Sequence, residues 1–399
     1  GVYDVMAQLA AWAKTNAPQL QTMTVQGSPY HNGGASATQE LAFALATAVD
    51  YVRAMQARGL SIDDIAPRIR FSLSIGANFF MEIARLRAAR LLWAKIVQAF
   101  GGNEQSQKMS LHARTSAWNQ TVYDPHVNLL RATTEAFSSA VGGCDSLHIS
   151  PFDELLRVPD EFSRRVARNT HTVLREESHI TRTVDPAGGS WYVENLTDSV
   201  ARKTWAIFQE IEKQGGMAQA LAAGWPQSQI ADTAAKRTAN IAKRKDIFVG
   251  TNMYPNLKET RIEPVPVDAW AVQQERAAAL NSFRAAANAE QKQTALDALA
   301  KTGANSVEVA IQAALAGATL GEIAQAVRAS AKAGPTANSI HAQRGAQAFE
   351  ALRQAAESYV ARTGQRPLVF LATMGPLTQH KGRADFATAF LGVGGFETI

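Results

Sequence analysis

Three histidines stand in or open short loops rich in glycine and polar residues. His31 lies in Gly27-Ser28-Pro29-Tyr30-His31-Asn32-Gly33-Gly34, His112 opens His112-Ala113-Arg114-Thr115-Ser116-Ala117-Trp118, and His148 opens His148-Ile149-Ser150-Pro151-Phe152-Asp153. A fourth loop, Gly76-Ala77-Asn78, has none. Imidazole exchanges a proton near neutral pH, so these residues suit acid–base work or ligand binding if the loops converge. Arg68, Arg70 and Arg114 would add positive charge near the same loop mouth, which suits phosphate or carboxylate groups. Pairing with neighbouring carboxylates would explain them equally well. No metal-ligand set emerges, because His31, His112 and His148 lack i,i+4 spacing and have no carboxylate pair fixed beside them. No Ser-His-Asp arrangement can be argued from order alone. Trp93, Trp118, Trp191 and Trp205 read most simply as core or interface residues.

What must position these loops is a set of β/α units. Strands are expected at Thr22 to Gly27, Ile69 to Ile75, Lys108 to His112 and Asp145 to Ile149, and helices at Thr38 to Gln56, Phe79 to Phe100, Pro125 to Ala140 and Asp160 to Glu177. In the second helix Phe79, Ile83, Leu86, Arg90 and Trp93 recur near the helical period, which leaves Glu82, Arg85 and Arg87 for a wet face. Such alternation predicts a parallel sheet with covering helices, and it places the loops at the carboxyl ends of the strands, where barrel chemistry belongs. Four units make only half of a (β/α)8 TIM barrel, and an open half would expose sheet edge.

Beyond residue 180 the pattern changes. Arg182 to Gly189 is turn-rich, and Ser190 to Glu194 is a candidate extended piece. A helix from Thr197 is ended by Gly215-Gly216, another runs from Gln227 to about Lys245, and Asp246 to Asn256 returns to strand and loop. Pro264 and Pro266 mark a linker, and 268–360 reads as connecting helices. Pro367 to Gly375 is a buried-strand candidate, followed by a loop, a helix from about Arg383 to Leu391 and a second strand start, which is how a doubly wound α/β domain begins. The expected organisation is therefore the second half of a barrel over 1–180, a helical extension over 181–262, a helical linker over 263–366, and the cut-short start of a flavodoxin-like α/β domain over 367–399. Gly1-Val2-Tyr3-Asp4 carries neither a start Met nor a signal-peptide pattern, so the sequence reads as truncated at both ends.

Composition narrows the class. Of 399 residues 46% are apolar and 19% charged, which excludes a disordered chain and provides material for more than one core. The formal charge of +5 is spread along the chain without a dense basic block, so nucleic acid is not expected as a partner. The single cysteine, Cys144, excludes a disulfide framework and suits a reducing, cytoplasmic compartment. No apolar run reaches the length of a membrane span, so no membrane association is expected.

Several segments resemble the methylmalonyl-CoA mutase family of cobalamin-dependent acyl-CoA mutases. They are Ile65 to Arg70, Asn78 to Trp93, Thr115 to Trp118, Tyr123 to Glu135, Ser146-Leu147-His148, Ala167 to Thr170, Asp185 to Ser190 and Glu212 to Met217. The likeness runs almost continuously from about residue 20 to 260 and resumes at 367–399. It implies an incomplete TIM barrel, a linker, and the start of a cobalamin-binding-type domain. For the complete assembly it implies adenosylcobalamin, an acyl-CoA substrate, and interconversion of methylmalonyl-CoA and succinyl-CoA, chemistry belonging to propionate metabolism. Among the family's CoA contacts, Arg68 and His112 match, whereas Arg70 replaces a serine and Arg114 a glutamine; Arg68, His112 and Arg114 are the substrate-binding candidates.

Departures from the family fall on its catalytic groups. Catalytic members read Gly-Tyr-His after the first of these strands, and this chain reads Gly27-Ser28-Pro29; Tyr30-His31 follows two residues later, which leaves His31 the one catalytic candidate. In the family's Asp-x-His-x-x-Gly, histidine coordinates cobalt from below and aspartate orients it. Here Leu377 stands at the aspartate and Gln379 at the histidine position, His380 comes one residue late, and Thr373 replaces a lysine. Together with Tyr30-His31-Asn32, Asn119-x-Thr121 and Gly250-Thr251-Asn252-x-Tyr254-Pro255-Asn256, these losses resemble the small, non-catalytic subunit of heterodimeric members. The expectation is a supporting chain whose partner, a catalytic large subunit, holds the cobalamin. A self-sufficient mutase of divergent specificity, with His31 as the substrate histidine, is the alternative; an ordinary barrel enzyme or helical scaffold unrelated to cobalamin is the third.

Overall fold

The computed structural model describes residues 1–259, 262, 268–302, 306–329 and 336–399. It divides into two compact units, one of residues 10–264 and 336–399, the other of 1–9 and 265–335. The chain opens on α1 (Val2–Asn16), whose first half belongs to the smaller unit.

In the larger unit strands and helices alternate: β1 (Met23–Gln26), α2 (Ser28–Asn32), α3 (Ala37–Gln56), the short α4 (Ile62–Ile65), β2 (Ile69–Ile75), α5 (Phe79–Ala99), β3 (Ser110–Thr115), α6 (Val127–Val141), β4 (Ser146–His148) and α7 (Glu161–Thr172). The four strands form one parallel sheet in the order β1-β2-β3-β4. Helix starts carry their own caps. Ser36 forms a capping box with Gln39 ahead of α3, and the Asn78 side chain accepts from the Met81 N–H ahead of α5.

Side chains alternate across the strands, and the two sheet faces differ in chemistry. Met23, Val25, Ile69, Phe71, Leu73, Ile75, Leu111 and Ala113 are buried on the helix-covered face, where Phe71 meets Trp93 of α5 at a ring separation of 4.9 Å. The opposite face carries Thr24, Gln26, Arg70, Ser72, Ser110, His112 and Arg114. Parallel strands covered on both faces are normally apolar throughout, and this second face departs from that pattern.

Helices α8 (Trp191–Lys213), α9 (Met217–Ala223) and α10 (Trp225–Ala242) follow. α8 lies over both α3 and α5 and buries Val193, Val200, Phe208 and Ile211. Later in the chain α15 (Gln347–Thr363) belongs to this unit, as do β5 (Leu368–Val369), α16 (Leu377–Val393) and β6 (Glu397–Thr398), the two strands pairing in parallel. In the smaller unit α11 (Ala269–Ala286), α12 (Ala289–Lys301), α13 (Ser306–Leu315) and α14 (Leu320–Arg328) include an apolar cluster of Leu299, Ala313 and Ala318.

Several local expectations change. Ser190 to Glu194 is not extended: the Ser190 hydroxyl accepts from the Val193 N–H and starts α8 at Trp191. The loop holding His31 is a short helix with Pro29 in its first turn, where the missing N–H costs nothing. Asp246 to Asn256 contributes only the isolated bridge Val249 to Met253. The expected strand from Pro367 to Gly375 shrinks to two paired residues, and α16 starts at Leu377 directly after Pro376, so the expected loop at 376–382 is largely helical.

Candidate functional site

At the carboxyl ends of β1 to β3 lies a buried charge cluster. His31 on α2 has both ring nitrogens engaged, Nδ1 with Glu40 Oε2 at 3.2 Å and Nε2 with Ser116 Oγ at 2.7 Å. Glu40 is wholly buried, and its Oε1 accepts the Ser74 N–H at 2.8 Å. Arg85 is also wholly buried, paired with Glu40 at 2.5 Å and with Glu82, and it donates to the Ser74 carbonyl. Glu135 on α6 completes the cluster, accepting from the Ser116 N–H at 2.9 Å and from Asn119 Nδ2 at 2.8 Å.

Burial and partners pull these carboxyls apart. Desolvation would raise Glu40, but the Arg85 guanidinium and the His31 hydrogen bond outweigh it and hold the carboxyl below its ordinary range. For Glu82 desolvation wins over Arg85 and the pKa rises. Desolvation pushes Glu135 up to about 8 against the donors from Asn119 and Ser116. Glu135 therefore holds a proton at neutral pH, while Glu40 is ionised against Arg85.

The polar sheet face is a second, separate arrangement. Register places Arg70 between Thr24 and Ser110, Ser72 between Gln26 and His112, and Ser74 beside Arg114, which is itself beside His148. His112 Nδ1 is 2.8 Å from Ser146 Oγ, and Arg114 pairs with Glu154 at 2.7 Å. Burial depresses the His112 pKa, and the neighbouring Arg70, His148 and Arg114 depress it further. Burial and Arg114 do the same to His148, against Glu154.

The structure thus separates the residues that sequence placed at one mouth. His31 lies in the charge cluster, while His112, Arg114 and His148 lie on the polar face. Arg68 is not near the mouth: it precedes β2, at the strand's amino end, buried, with Nη1 donating to the Asp64 carbonyl at 3.0 Å. Glu82 and Arg85 are not on a wet face, because they lie buried in the charge cluster. Sequence reasoning missed Glu40, Glu82, Arg85 and Glu135 as a cluster; the signal available was Glu82-x-x-Arg85 within a predominantly apolar helix. Among the described residues no group of three His, Cys, Asp or Glu is placed to hold a metal ion.

Near the carboxyl end of the chain Leu377 and Gln379 occupy the first turn of α16, both exposed, the Gln379 N–H bonded to the Pro376 carbonyl. His380 lies one residue further, about 100° around the helix. Thr373 is exposed ahead of the helix.

A parallel sheet with helices on its apolar face and polar side chains on the other makes this an α/β protein. The family model described as methylmalonyl-CoA mutase matches residues 1–333. A methylmalonyl-CoA mutase of Cereibacter sphaeroides is 39% identical over 98% of this chain and 56% of its own length. Two chains of Streptomyces virginiae align as well: the methylmalonyl-CoA mutase large subunit at 36% identity over 98% of this chain and 55% of its own, and the small subunit at 34% over 100% and 54%. The chain belongs to the methylmalonyl-CoA mutase family. It spans about half the length of the curated relatives it matches.

Proposed function

We propose that this chain is part of the small, supporting subunit of a heterodimeric methylmalonyl-CoA mutase, required for the assembly that interconverts methylmalonyl-CoA and succinyl-CoA. Identity does not choose between subunits, since the large and small chains of one organism align at 36% and 34%. The carrying observation is the sequence at the first turn of α16, where the family resemblance puts Leu377 at the aspartate position and Gln379 at that of the cobalt-binding histidine. A leucine cannot hydrogen-bond an imidazole, and a neutral amide is a poor cobalt ligand. His380 leaves the helix in another direction. These residues do not fit a cobalamin held through an imidazole, and the adenosylcobalamin is assigned to the partner.

His31 supports the same reading. With Glu40 on one nitrogen and Ser116 on the other, its ring has no free edge to offer a substrate. In the same reading 1–180 is the second half of a TIM barrel, whose outer edges on β1 and β4 await the remaining strands; 181–262 extends it, 263–366 links it, and 367–399 begins the cobalamin-binding-type domain. Arg68, His112 and Arg114 are then family framework positions for an acyl-CoA. The assembly is assigned to the cytoplasm; among the described residues no helix is long and apolar enough to cross a membrane.

Co-expression decides it. The full-length chain is expected to form a stable complex with a catalytic large subunit that isomerises methylmalonyl-CoA, and to be inactive alone. Turnover by the chain alone, with an imidazole below cobalt in the spectrum of its bound cobalamin, would establish the self-sufficient enzyme instead.

A further inference from the structure

A cavity of about 560 Å³ lies among the end of α10, α15 and the end of α16, a volume in the range of small-molecule sites. Phe349, Leu352 and Tyr359 of α15 line it together with Phe390 of α16 and Phe396 beyond that helix. Pro367 and Phe396 place it at the amino ends of β5 and β6, which they just precede. The usual ligand end of paired parallel strands is the opposite one. Among the described residues Arg244 is the one charged side chain in this lining, and it has no carboxylate partner. Its guanidinium lies 5.6 Å from the centroid of the Phe390 ring, Nη2 donates to the Met253 sulfur, a weak acceptor, and Nε is buried with no hydrogen-bond partner. A half-buried cation among aromatic rings with no anion beside it is poorly compensated. The backbone is an independent sign. Arg244 takes a φ of +57° just after the C-cap of α10, where a glycine serves without strain. A side chain that costs strain here stands where it charges an apolar cavity.

We propose that this cavity binds an amphipathic carboxylate, a small aliphatic acid whose hydrocarbon tail lies among Phe349, Leu352, Phe390 and Phe396 and whose carboxylate pairs with Arg244. The planar guanidinium offers parallel N–H donors to the two oxygens of one carboxylate, and the tail exchanges water for apolar contacts. The Tyr359 phenol is the other polar group of the lining. A neutral apolar ligand leaves Arg244 uncompensated, and a purely polar anion leaves the aromatic lining wet. A molecule with both parts answers both. The site does not rest on the supporting-subunit reading, because it lies at the far end of α16 from Leu377 and Gln379 and shares no residue with the cluster around His31.

Calorimetric titration of the full-length protein with octanoate, kept below its micellar concentration, is expected to show saturable binding, and NMR to show shifted methyl resonances of Leu352 and Val393, which both line the cavity. Octan-1-ol carries the same tail without the charge and is expected to bind about tenfold more weakly or less still. Arg244→Met keeps a long unbranched side chain and removes the charge. It is expected to weaken octanoate by about tenfold or more and to change octan-1-ol little. Ala355→Trp, at an exposed lining position of α15, fills the cavity and is expected to abolish binding of both. Circular dichroism checks that each variant is folded; should one fail to fold, the parent protein's preference for octanoate over octan-1-ol and its methyl shifts carry the decision. Absence of saturable octanoate binding, equal affinity for octan-1-ol, unmoved Leu352 and Val393 methyls, or undiminished octanoate binding by folded Arg244→Met or Ala355→Trp overturns the proposal. A cavity filled by another part of the full-length chain gives no binding and counts against it equally.

Discussion

His31 Nε2 lies 2.7 Å from Ser116 Oγ while Nδ1 of the same ring lies 3.2 Å from Glu40, so one imidazole ties the helix after β1 to α3 and to the loop after β3. Behind it Arg85 holds Glu40 and Glu82 together from α5. A ring in this position acts as a buried crosslink among three elements. His31→Ala leaves Glu40 and Ser116 each short of a partner inside the protein and opens a cavity, so it is expected to cost about 2–4 kcal/mol. Arg85→Met removes the guanidinium paired with both buried carboxyls and is expected to cost more, about 3–5 kcal/mol. Urea denaturation at constant pH, with unchanged slope and a lowered midpoint, measures both.

The neighbouring Glu135 predicts how stability follows pH. Its pKa rises from an ordinary 4.5 to about 8 in the folded protein, chiefly through burial. The native state therefore binds a proton that the unfolded chain has released, and the stabilisation from this group is fully present below pH 4.5 and fades as the pH climbs through 8. Glu82, raised for the same reason, acts with the same sign. Glu135→Gln is expected to flatten part of the decline in melting temperature between about pH 5 and 8, because a neutral side chain has nothing to lose there. An unchanged pH profile in this variant would show that Glu135 does not hold the proton.

How far sequence reached can be judged on single elements. β2 was legible to the residue, Ile69 to Ile75, because alternation and flanking breakers agree, and α5 was legible from the recurrence of Phe79, Ile83, Leu86 and Trp93. The burial of Glu82 and Arg85 was not, since a charged i,i+3 pair on an amphipathic helix has the same pattern whether it meets water or a sheet end. Nor was the start of α16: Gly375-Pro376 signals a break and Gly382 a turn, yet the helix runs through Gly382. For the site, the histidines were visible as types, but strand register decides which of them share a face. Arg68 and Arg70 differ by two residues and stand in different surroundings, one buried ahead of the strand and the other exposed on its polar face.

The turn after His31 is held by close packing. Gly34 has φ of +102°, and an added Cβ would lie 2.7 Å from Ala234 Cβ and 3.0 Å from Trp118 Cζ3, against an indole that Arg237 covers at 4.1 Å. Gly59 has φ of +86° with nothing within 4 Å of an added Cβ. Both glycine-to-alanine changes force a left-handed backbone on an L residue, and only Gly34→Ala also collides. Gly59→Ala is expected to cost about 1 kcal/mol and Gly34→Ala about 2–4 kcal/mol. Parallel denaturation curves give the difference, which isolates the packing of this turn from backbone strain.

The same packing separates the two functional readings of His31 through kinetics. In the supporting-subunit reading the imidazole acts through folding, so His31→Ala lowers the yield of assembled complex while turnover per assembled heterodimer stays at the parental value. A histidine that moved a substrate proton would instead lower kcat by about 10²–10⁴ at equal occupancy of the complex. Quantifying assembled complex by size exclusion before measuring isomerisation keeps the two effects apart. Loss of kcat in a complex that assembles normally would return His31 to the reacting atoms, with Ser116 and Glu40 as the groups that orient it.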